Sequence, residues 1–333
     1  MDENQGHSAP LSGTEHSATP PGAEAAAGIP TQFSAHNIFI GKDGLRPGWR
    51  LFVFLLIFGT LALVLGFCIR HVLPTSMRKS KSIWLPMFGE AAVLLAAAIP
   101  TLLMARIEKR PAADYGLPSR MAFGKSFWAG VVWGIVALSA LLFAIDGLGD
   151  FILGGLVLHG ARLVKFAFFW GVFFLIVGFF EEILFRGYAL FTLTKGIGFW
   201  PAALMLSGFF GAIHLFNPGE TLIGGLAAGL IGLFFCLTIR RTGTLWFAIG
   251  MHASWDWAES YLYSVPDSGT PTPGHLLNSS FHGSRWITGG SVGPEGSVLV
   301  LLLVVLLWII FDRIYPKAKY PAESIGDNGA LVT

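Results

Sequence analysis

Charged side chains are scarce in this sequence. Asp, Glu, Lys and Arg make up 13% of its 333 residues, whereas they make up about a quarter of an average soluble domain. The net charge of +2 is too small to indicate the basic surface of a nucleic-acid-binding protein. The shortage of charge therefore excludes an ordinary soluble domain, and we expect no nucleic acid among the partners.

Cysteine is almost absent as well. The two that occur, Cys68 and Cys236, both lie in apolar runs, which argues against a disulfide framework and a thiolate metal site. The sequence also lacks the His-Glu-x-x-His pattern of zinc-binding helices. Metal binding or catalysis would therefore have to come from other side chains, chiefly His, Asp and Glu.

Apolar residues, in contrast, are abundant. They make up 53% of the chain, and its mean hydropathy is +0.64. Several apolar runs approach the roughly 20 residues that a helix needs to cross a bilayer. We therefore predict an all-α fold, a polytopic transmembrane helical bundle with about eight spans. The predicted spans are 51–69, 83–105, 126–145, 166–191, 198–216, 221–239, 243–263 and 297–314.

Two polar segments help to divide the chain. Residues 1–48 are rich in Ser, Thr, Pro, Gly, Ala and Glu, and such a segment buries too little apolar surface to fold, so we predict a disordered tail. Residues 264–296 are rich in Gly, Ser and Pro, which is typical of a loop outside the membrane. The predicted division is a tail at 1–48, an N-terminal transmembrane pair with basic loops at 49–125, a core at 126–265, a polar loop at 266–296, and a last helix and tail at 297–333.

The distribution of Lys and Arg predicts the orientation. Eight spans place both termini on one side of the membrane. That side would hold 15 of the 22 basic residues, because the other side would hold seven: Arg70, Arg78, Lys79, Lys81, Arg162, Lys165 and Arg285. Cytoplasmic loops carry the excess of Lys and Arg. We therefore predict cytoplasmic termini, in the cytoplasmic membrane of a bacterium, although four of the seven lie in the first loop and argue the other way.

Two adjacent carboxylates and an arginine lie inside the fourth predicted span. They are Glu181, Glu182 and Arg186, and ionised side chains within a bilayer are rare unless they are paired or functional. On a helix, Glu182 and Arg186 share a face, while Glu181 points about 100° away. We expect Arg186 to hold Glu182 while Glu181 faces a site. The alternative is a cluster at headgroup level, with Arg186 reaching the interface.

Two further spans carry unusual polar groups. The fifth contains Phe210-Gly-Ala-Ile-His214 and the seventh contains His252-Ala-Ser-Trp-Asp256, and in each the outer residues are four apart and share a helix face. Each has a simpler interpretation. His214 could satisfy carbonyls at a helix end, Phe210 could be a packing residue, and His252 with Asp256 could be a self-satisfied buried pair.

The polar groups of the three spans are predicted to lie at similar depths in the membrane. At about 1.5 Å per residue, Glu181, His214 and His252 would lie about 15, 20 and 14 Å from the cytoplasmic ends of their spans. All three would be near the middle of a core about 30 Å thick. A carboxylate beside a histidine can activate water, and a second histidine can stabilise an oxyanion. The same groups could instead bind zinc, for which the candidate ligands are Glu181, His214, His252 and Asp256.

The three patterns, in this order, resemble the CPBP intramembrane proteases, which include the type II CAAX prenyl endopeptidases and bacterial proteins linked to bacteriocin processing and immunity. The family pattern is Glu-Glu-x-x-x-Arg, Phe-x-x-x-His and His-x-x-x-Asn or Asp, and the resemblance covers about residues 120–265. It implies an all-helical fold with a site open to the cytosol. It implies Glu181 as general base with His214, ordering roles for Glu182 and Arg186, and oxyanion or metal contacts for His252 and Asp256.

The resemblance predicts an intramembrane endopeptidase that acts on a membrane-associated protein or peptide. No cofactor is required in the mechanism that we favour, and zinc is the alternative. The prenyl endopeptidases have Asn where this chain has Asp256, and an ionised Asp accepts hydrogen bonds but cannot donate one. Prenylated CAAX proteins are therefore not assigned as substrates. The competing classes are a catalytically silent immunity-type membrane protein and a proton-linked transporter that uses Glu181 and His214.

Overall fold

The fold is described from a computed structural model. It describes residues 38–41, 44–72, 82–267 and 273–321, together with the backbone of 324–325 and 331–332. Most of the predicted tail, residues 1–37, lies outside the described residues. In the part of the tail that is described, Ile40–Gly41 (β1) and Gly44–Leu45 (β2) form a short antiparallel pair just before the first long helix.

The described chain is a helical bundle, which confirms the predicted fold class. Each of the eight predicted spans corresponds to a helical segment whose ends differ by a few residues. The helices are α1 Pro47–Val72, α2 Trp84–Ile107, α3 Lys125–Gly147, α4 Ala161–Glu182, α5 Ala189–Ile197, α6 Phe199–His214, α7 Leu222–Thr242, α8 Trp246–Trp257, α9 Arg285–Thr288 and α10 Val298–Ile314. Wider π-helical turns continue α4 over Ile183–Tyr188 and α8 over Ala258–Tyr263.

Five helical segments of the described chain are long and apolar enough to cross a membrane: α1, α2, α3, the continuous segment Ala161–Ile197, and α7. The other three segments that match predicted spans are shorter. In α1 only 6% of the most apolar stretch is buried inside the protein, so most of its apolar side chains are at least partly exposed. An apolar surface of that extent is stable only in lipid, and the chain is therefore an integral membrane protein.

The bundle has two ends, which the structure connects differently. The loop end comprises the described residues 82–83, 148–160, 215–221, 264–267 and 273–296, and here Phe151–Ile152 (β3) pairs with Ser280–Phe281 (β4). The terminal end comprises residues 108–124, 243–245 and 315–321. There the Glu108 carboxylate accepts hydrogen bonds from Arg50, Tyr115 and Tyr188. Burial and the Glu108 carboxylate raise the pKa of Tyr115 above its ordinary value, because both disfavour a phenolate.

Helix α8 lies at the centre of the bundle, against α3 and α4. Its contact with α3 is a direct approach of two backbones. A Cβ atom on Gly130 would lie 2.1 Å from the carbonyl oxygen of Phe247, and one on Gly250 would lie 2.2 Å from that of Phe127. Only glycine at both positions allows this separation. The close contact fixes the height of α8, which carries His252 and Asp256, relative to its neighbours.

We predict that Gly250→Ala destabilises the protein by about 1–3 kcal/mol, the usual range for overpacking a core. The added methyl group would overlap the Phe127 carbonyl and push α8 away from α3. The matched control is Gly59→Ala in α1, where a Cβ atom meets nothing within 4 Å. Thermal unfolding of both variants in detergent measures the difference. Equal melting temperatures for Gly250→Ala and the parent protein would contradict the predicted contact.

Candidate active site

The fourth helical segment widens at the predicted carboxylate pair. Helix α4 ends at Glu182, and the π-helical turn that follows contains Gly187 with a non-helical ψ of −119°. Such wide turns occur frequently at functional sites because they redirect side chains. Here the turn leaves the side chains of Glu182 and Arg186 both fully buried, at 0% exposure.

Arg186 and Glu182 form the i, i+4 ion pair that the spacing predicts. Nη1 of Arg186 donates to Oε1 of Glu182 at 3.1 Å. The guanidinium lies over the Phe210 ring, 4.1 Å from its centroid, and a desolvated cation–π contact of this kind is stabilising by about 2 kcal/mol. Phe210 is therefore more than packing, because its ring supports the arginine that holds Glu182.

Sequence reasoning missed Gly232, which provides the space for this arginine. A Cβ atom there would lie 2.1 Å from Nη2 of Arg186 and 3.2 Å from the Phe210 ring. The residue lies on α7 and is buried. A glycine in an apolar helix gives little signal by itself, since its function depends on a side chain from another helix.

His252 is the residue on which three carboxylates converge. Its Nδ1 lies 3.0 Å from Oε1 of Glu182, and its Nε2 lies 3.5 Å from Oε2 of Glu181 and 3.7 Å from Oδ2 of Asp256. The ring also stacks on Phe235, with centroids 5.6 Å apart. Ionised carboxylates only accept hydrogen bonds. An imidazole with a proton on each nitrogen therefore matches these surroundings.

The two adjacent glutamates differ in exposure. The Glu182 side chain is fully buried, whereas 20% of the Glu181 side chain is exposed. Glu182 is engaged by Arg186 and His252. Glu181 instead lines a cavity with a volume of about 790 Å³. The structure thus shows one carboxylate held internally by hydrogen bonds and the other lining a cavity, as the helix geometry predicts for the two directions.

His214 lines the same cavity but does not contact Glu181. Its Nδ1 donates to the carbonyl oxygen of Phe210 at 2.8 Å, a contact expected of a histidine at a helix end. This bond leaves Nε2 as the ring nitrogen with a free lone pair when the imidazole is neutral. No hydrogen bond or ion pair joins the two described residues His214 and Glu181, although both line the cavity.

The cavity extends from the middle of the bundle to the loop end. Its lining includes Ser82, Asn217 and Pro273, which all lie at that end. The family resemblance implies a cytosolic opening, and the count of basic residues places the termini in the cytosol. These two expectations exclude each other, because the cavity opens at the end opposite to the termini.

Four acidic residues near the site are not among the six site residues predicted from the sequence. Glu90 lines the cavity together with Glu181, although it has no partner within its own span. Asp256, Asp267 and Glu295 form a cluster in which one ligand atom of each lies within 4.8 Å of the others. Glu259 is fully buried beside them. For Glu90 and Glu259 a signal existed, since each is a carboxylate in an apolar helix.

A zinc site made by Glu181, His214, His252 and Asp256 does not fit this geometry. In the described part of the chain, the one group of three or more possible ligands that converges is Asp256 with Asp267 and Glu295. His214 is directed to the Phe210 carbonyl instead. Nitrogen and oxygen ligands of one zinc ion lie about 2.0–2.2 Å from it, so all four would have to meet at one point.

The spacing Gly-x-Ser-x-Gly occurs at residues 289–293. A nucleophile elbow needs a strand before the serine and a helix after it. Ser291 instead follows the four-residue helix α9 and precedes the short 3₁₀ turn Pro294–Gly296. The spacing belongs to a loop that turns sharply at Gly289, Gly290 and Gly293, all with positive φ.

The fold and site define a helical integral membrane protein with a carboxylate–histidine centre inside the bundle. Residues 163–258 match the family described as type II CAAX prenyl endopeptidase Rce1-like. The match confirms the family predicted from the three motifs, and it indicates a membrane endopeptidase. All six predicted site residues lie within the matched segment, whereas Asp267 and Glu295 lie beyond it. No curated protein matches the chain.

We predict that Gly232→Ala destabilises the protein by about 1–3 kcal/mol and abolishes its activity. The new methyl group would displace the Arg186 guanidinium, which is buried and cannot move into solvent. Gly208→Ala in α6 is the matched control, because a Cβ atom there meets nothing within 4 Å. The measurements are the melting temperature in detergent and substrate cleavage. A fully active and stable Gly232→Ala protein would contradict the assigned packing.

Proposed function

We propose that this protein is an intramembrane endopeptidase that hydrolyses a peptide bond in a membrane-associated protein or peptide. The observation that carries the proposal is the partly exposed Glu181 carboxylate on a cavity inside the bundle, with Glu182 and His252 held directly behind it. A carboxylate that is fixed but still reachable by water is suited to general-base catalysis.

Glu181 is proposed to deprotonate the attacking water. The water would lie in the cavity between the Glu181 carboxylate and Nε2 of His214, which both line it. The carboxylate takes one proton as the water oxygen attacks the scissile carbonyl, and the lone pair on Nε2 of His214 orients the water through its second hydrogen. The proton on Glu181 is then transferred to the leaving amine, so the peptide bond breaks and an acid and an amine are released.

His252 is proposed to stabilise the oxyanion. Its Nε2 lies within 3.7 Å of both Glu181 and Asp256, at the same side of the cavity as the base. The bond from Nδ1 to Glu182 fixes the ring plane, and pre-positioned donors are effective because they need no reorganisation during the reaction. Asp256 and Glu182 act on His252, by favouring the protonated ring that donates to the oxyanion.

The cavity lining agrees with an extended peptide substrate. The lining combines the apolar residues Trp170, Phe173, Phe174 and Val177 with acidic and histidine side chains. Apolar side chains of a substrate would contact the apolar residues, while its backbone reaches the acidic and histidine side chains. Among the described residues, none in the lining is assigned to prenyl binding, and the proposed substrates are therefore membrane-associated proteins and peptides.

The proposed location is the cytoplasmic membrane of a bacterium, with cytoplasmic termini. The support is the excess of Lys and Arg at the terminal end. Because the cavity extends to the loop end, this orientation places the opening on the outer side. The substrate bond would then be cleaved at or beyond the outer half of the bilayer.

Catalysis is tested by Glu181→Gln, which keeps the size of the side chain and removes the base. We predict a fall in cleavage rate of at least about a hundredfold, the lower limit for the loss of a general base, and the same for His214→Ala. Proteomics of new protein N-termini, in cells with the parent or the Glu181→Gln protein, identifies the substrate. Cleavage of that substrate by the purified variants then gives the rates.

Asp146→Asn is the control for that experiment, since Asp146 is an exposed carboxylate at the loop end of α3. Its cleavage rate should equal that of the parent protein. A silent immunity protein or a proton-linked transporter would produce no N-termini that depend on Glu181. Cleavage by Glu181→Gln at the parent rate would show that the base is another group.

Orientation is tested by thiol labelling in a background that lacks Cys68 and Cys236. Ser280→Cys places an exposed thiol at the loop end, and Ser119→Cys places one at the terminal end. We predict that an impermeant reagent labels Ser280→Cys in intact cells, and labels Ser119→Cys only after permeabilisation. The reverse pattern would place the cavity opening in the cytosol and overturn the orientation drawn from the basic residues.

A further inference from the structure

A second large pocket lies at the terminal end of the bundle, opposite to the opening of the proposed catalytic cavity. Its volume is about 690 Å³, and its lining contains five cationic side chains but a single carboxylate, that of Glu108. We call it the basic pocket. Its cations are Arg46, Arg50, Lys109, Arg110 and Lys195. None of the residues that line it belongs to the proposed catalytic centre.

The cations reach the basic pocket from three separate segments. Two lie at the start of α1, two directly follow α2, and Lys195 lies in the last turn of α5. An excess of Lys and Arg at this end of the bundle is a general property of membrane proteins. That bias does not require the basic residues to line one pocket, however. Their convergence is a result of how α1, α2 and α5 pack.

The carboxylate in the lining is already engaged. Glu108 has a side-chain exposure of 8%, and it accepts hydrogen bonds from Arg50, Tyr115 and Tyr188. The other four cations of the lining form no ion pair with a carboxylate in the described part of the chain. These four side chains are exposed, so they are available to an anion that enters the pocket.

The cations are also close enough to repel one another. Arg110 and Arg50 both act on the Lys195 ammonium as like charges. The energy of such a contact rises as the local dielectric constant falls, and the pocket lies where the helices leave the membrane. An anion placed between these groups would replace repulsion by attraction.

The backbone at Lys109 shows that a cation is placed in the pocket at a cost. Lys109 has a φ of 54°, in the left-handed region that glycine normally occupies at the end of a helix. The turn closes α2 through a hydrogen bond from the Arg110 N–H to the Ala105 carbonyl oxygen, at 2.9 Å. Glycine would make the same turn without steric cost, so the chain accepts strain here in order to carry a positive charge.

An apolar surface continues from the basic pocket along the outside of α2. Ile107 lines the pocket and is 61% exposed, and Leu103, one turn further from the helix end, is also exposed. Residues four apart share a helix face, so the two form one apolar stripe that begins at the cations. A ligand with both an anionic group and an apolar chain matches this combination. A small water-soluble anion would contact the cations alone.

We infer that the basic pocket binds the headgroup of an anionic phospholipid, with its phosphate among the cations and an acyl chain along the Leu103–Ile107 stripe. Arg and Lys form charge-assisted hydrogen bonds with phosphate oxygens, and basic pockets between membrane helices bind anionic headgroups. The bound lipid would connect the ends of α1, α2 and α5. The inference does not depend on the proposed protease activity, because the pocket and the catalytic cavity lie at opposite ends.

The test uses the full-length protein, purified in detergent. Its melting temperature is measured during titration with phosphatidylglycerol and, as the zwitterionic control, with phosphatidylcholine of the same chain length. We expect phosphatidylglycerol to raise the melting temperature by about 3 °C or more at a hundredfold excess over Kd, and phosphatidylcholine to give a smaller rise. Equal rises with the two lipids would overturn the inference. Inorganic phosphate is a separate arm, and a rise as large as that with phosphatidylglycerol would show that the pocket binds a free anion instead of a lipid.

Variants locate the site. Lys109→Gln, Arg110→Gln and Lys195→Gln should each weaken phosphatidylglycerol binding about fivefold, the factor that corresponds to about 1 kcal/mol for each basic residue. Arg50 is kept, because it also holds Glu108. The matched control is Lys125→Gln, which removes an exposed cation at the same end but outside the pocket lining, and it should leave binding unchanged. Unchanged binding in all three lining variants, or equal weakening by Lys125→Gln, would show that the lipid does not bind in this pocket.

Discussion

The buried ion pair between Glu182 and Arg186 is the constraint on which the rest of the site depends. Both side chains are fully shielded from solvent, and a buried pair is favourable only when further contacts compensate the loss of hydration. Glu182 receives a second hydrogen bond from His252, and Arg186 lies on the Phe210 ring. Nε and Nη2 of Arg186 have no hydrogen-bond partner among the described residues, so the aromatic contact carries much of the compensation.

This pair explains how two adjacent glutamates come to differ. Neighbours on a helix point in directions about 100° apart, so engagement of Glu182 by Arg186 directs Glu181 to the cavity. His252 then links the two, because one ring nitrogen contacts Glu182 and the other lies near Glu181. The ring is thereby held between a structural carboxylate and a reactive one. The close contact of α8 with α3 keeps this geometry constant, since the backbones meet without intervening side chains.

The loop end contributes acidic side chains to the cavity and contains its opening. Sequence composition describes residues 264–296 only as polar, yet the described part packs on the bundle through β4 and contributes Asp267 and Glu295 to the cavity. The opening therefore lies where acidic groups are concentrated, at the end away from most Lys and Arg residues. Because the opening lies at that end, the orientation of the chain in the membrane determines the side on which a substrate would be cleaved.

Local patterns were sufficient for much of this molecule. Apolar run lengths determined the helical bundle and its spans, and spacing of four residues determined the Glu182–Arg186 pair, since both are properties of a single helix. Contacts between helices were not accessible in the same way. His252 rather than His214 lies next to Glu181, Gly232 makes room for Arg186, and four acidic residues join the site from elsewhere: Glu90, Glu259, Asp267 and Glu295. Only the tertiary structure determined these contacts, because each of them depends on how separate segments pack. The residues next to each position in the sequence contain no information about that packing.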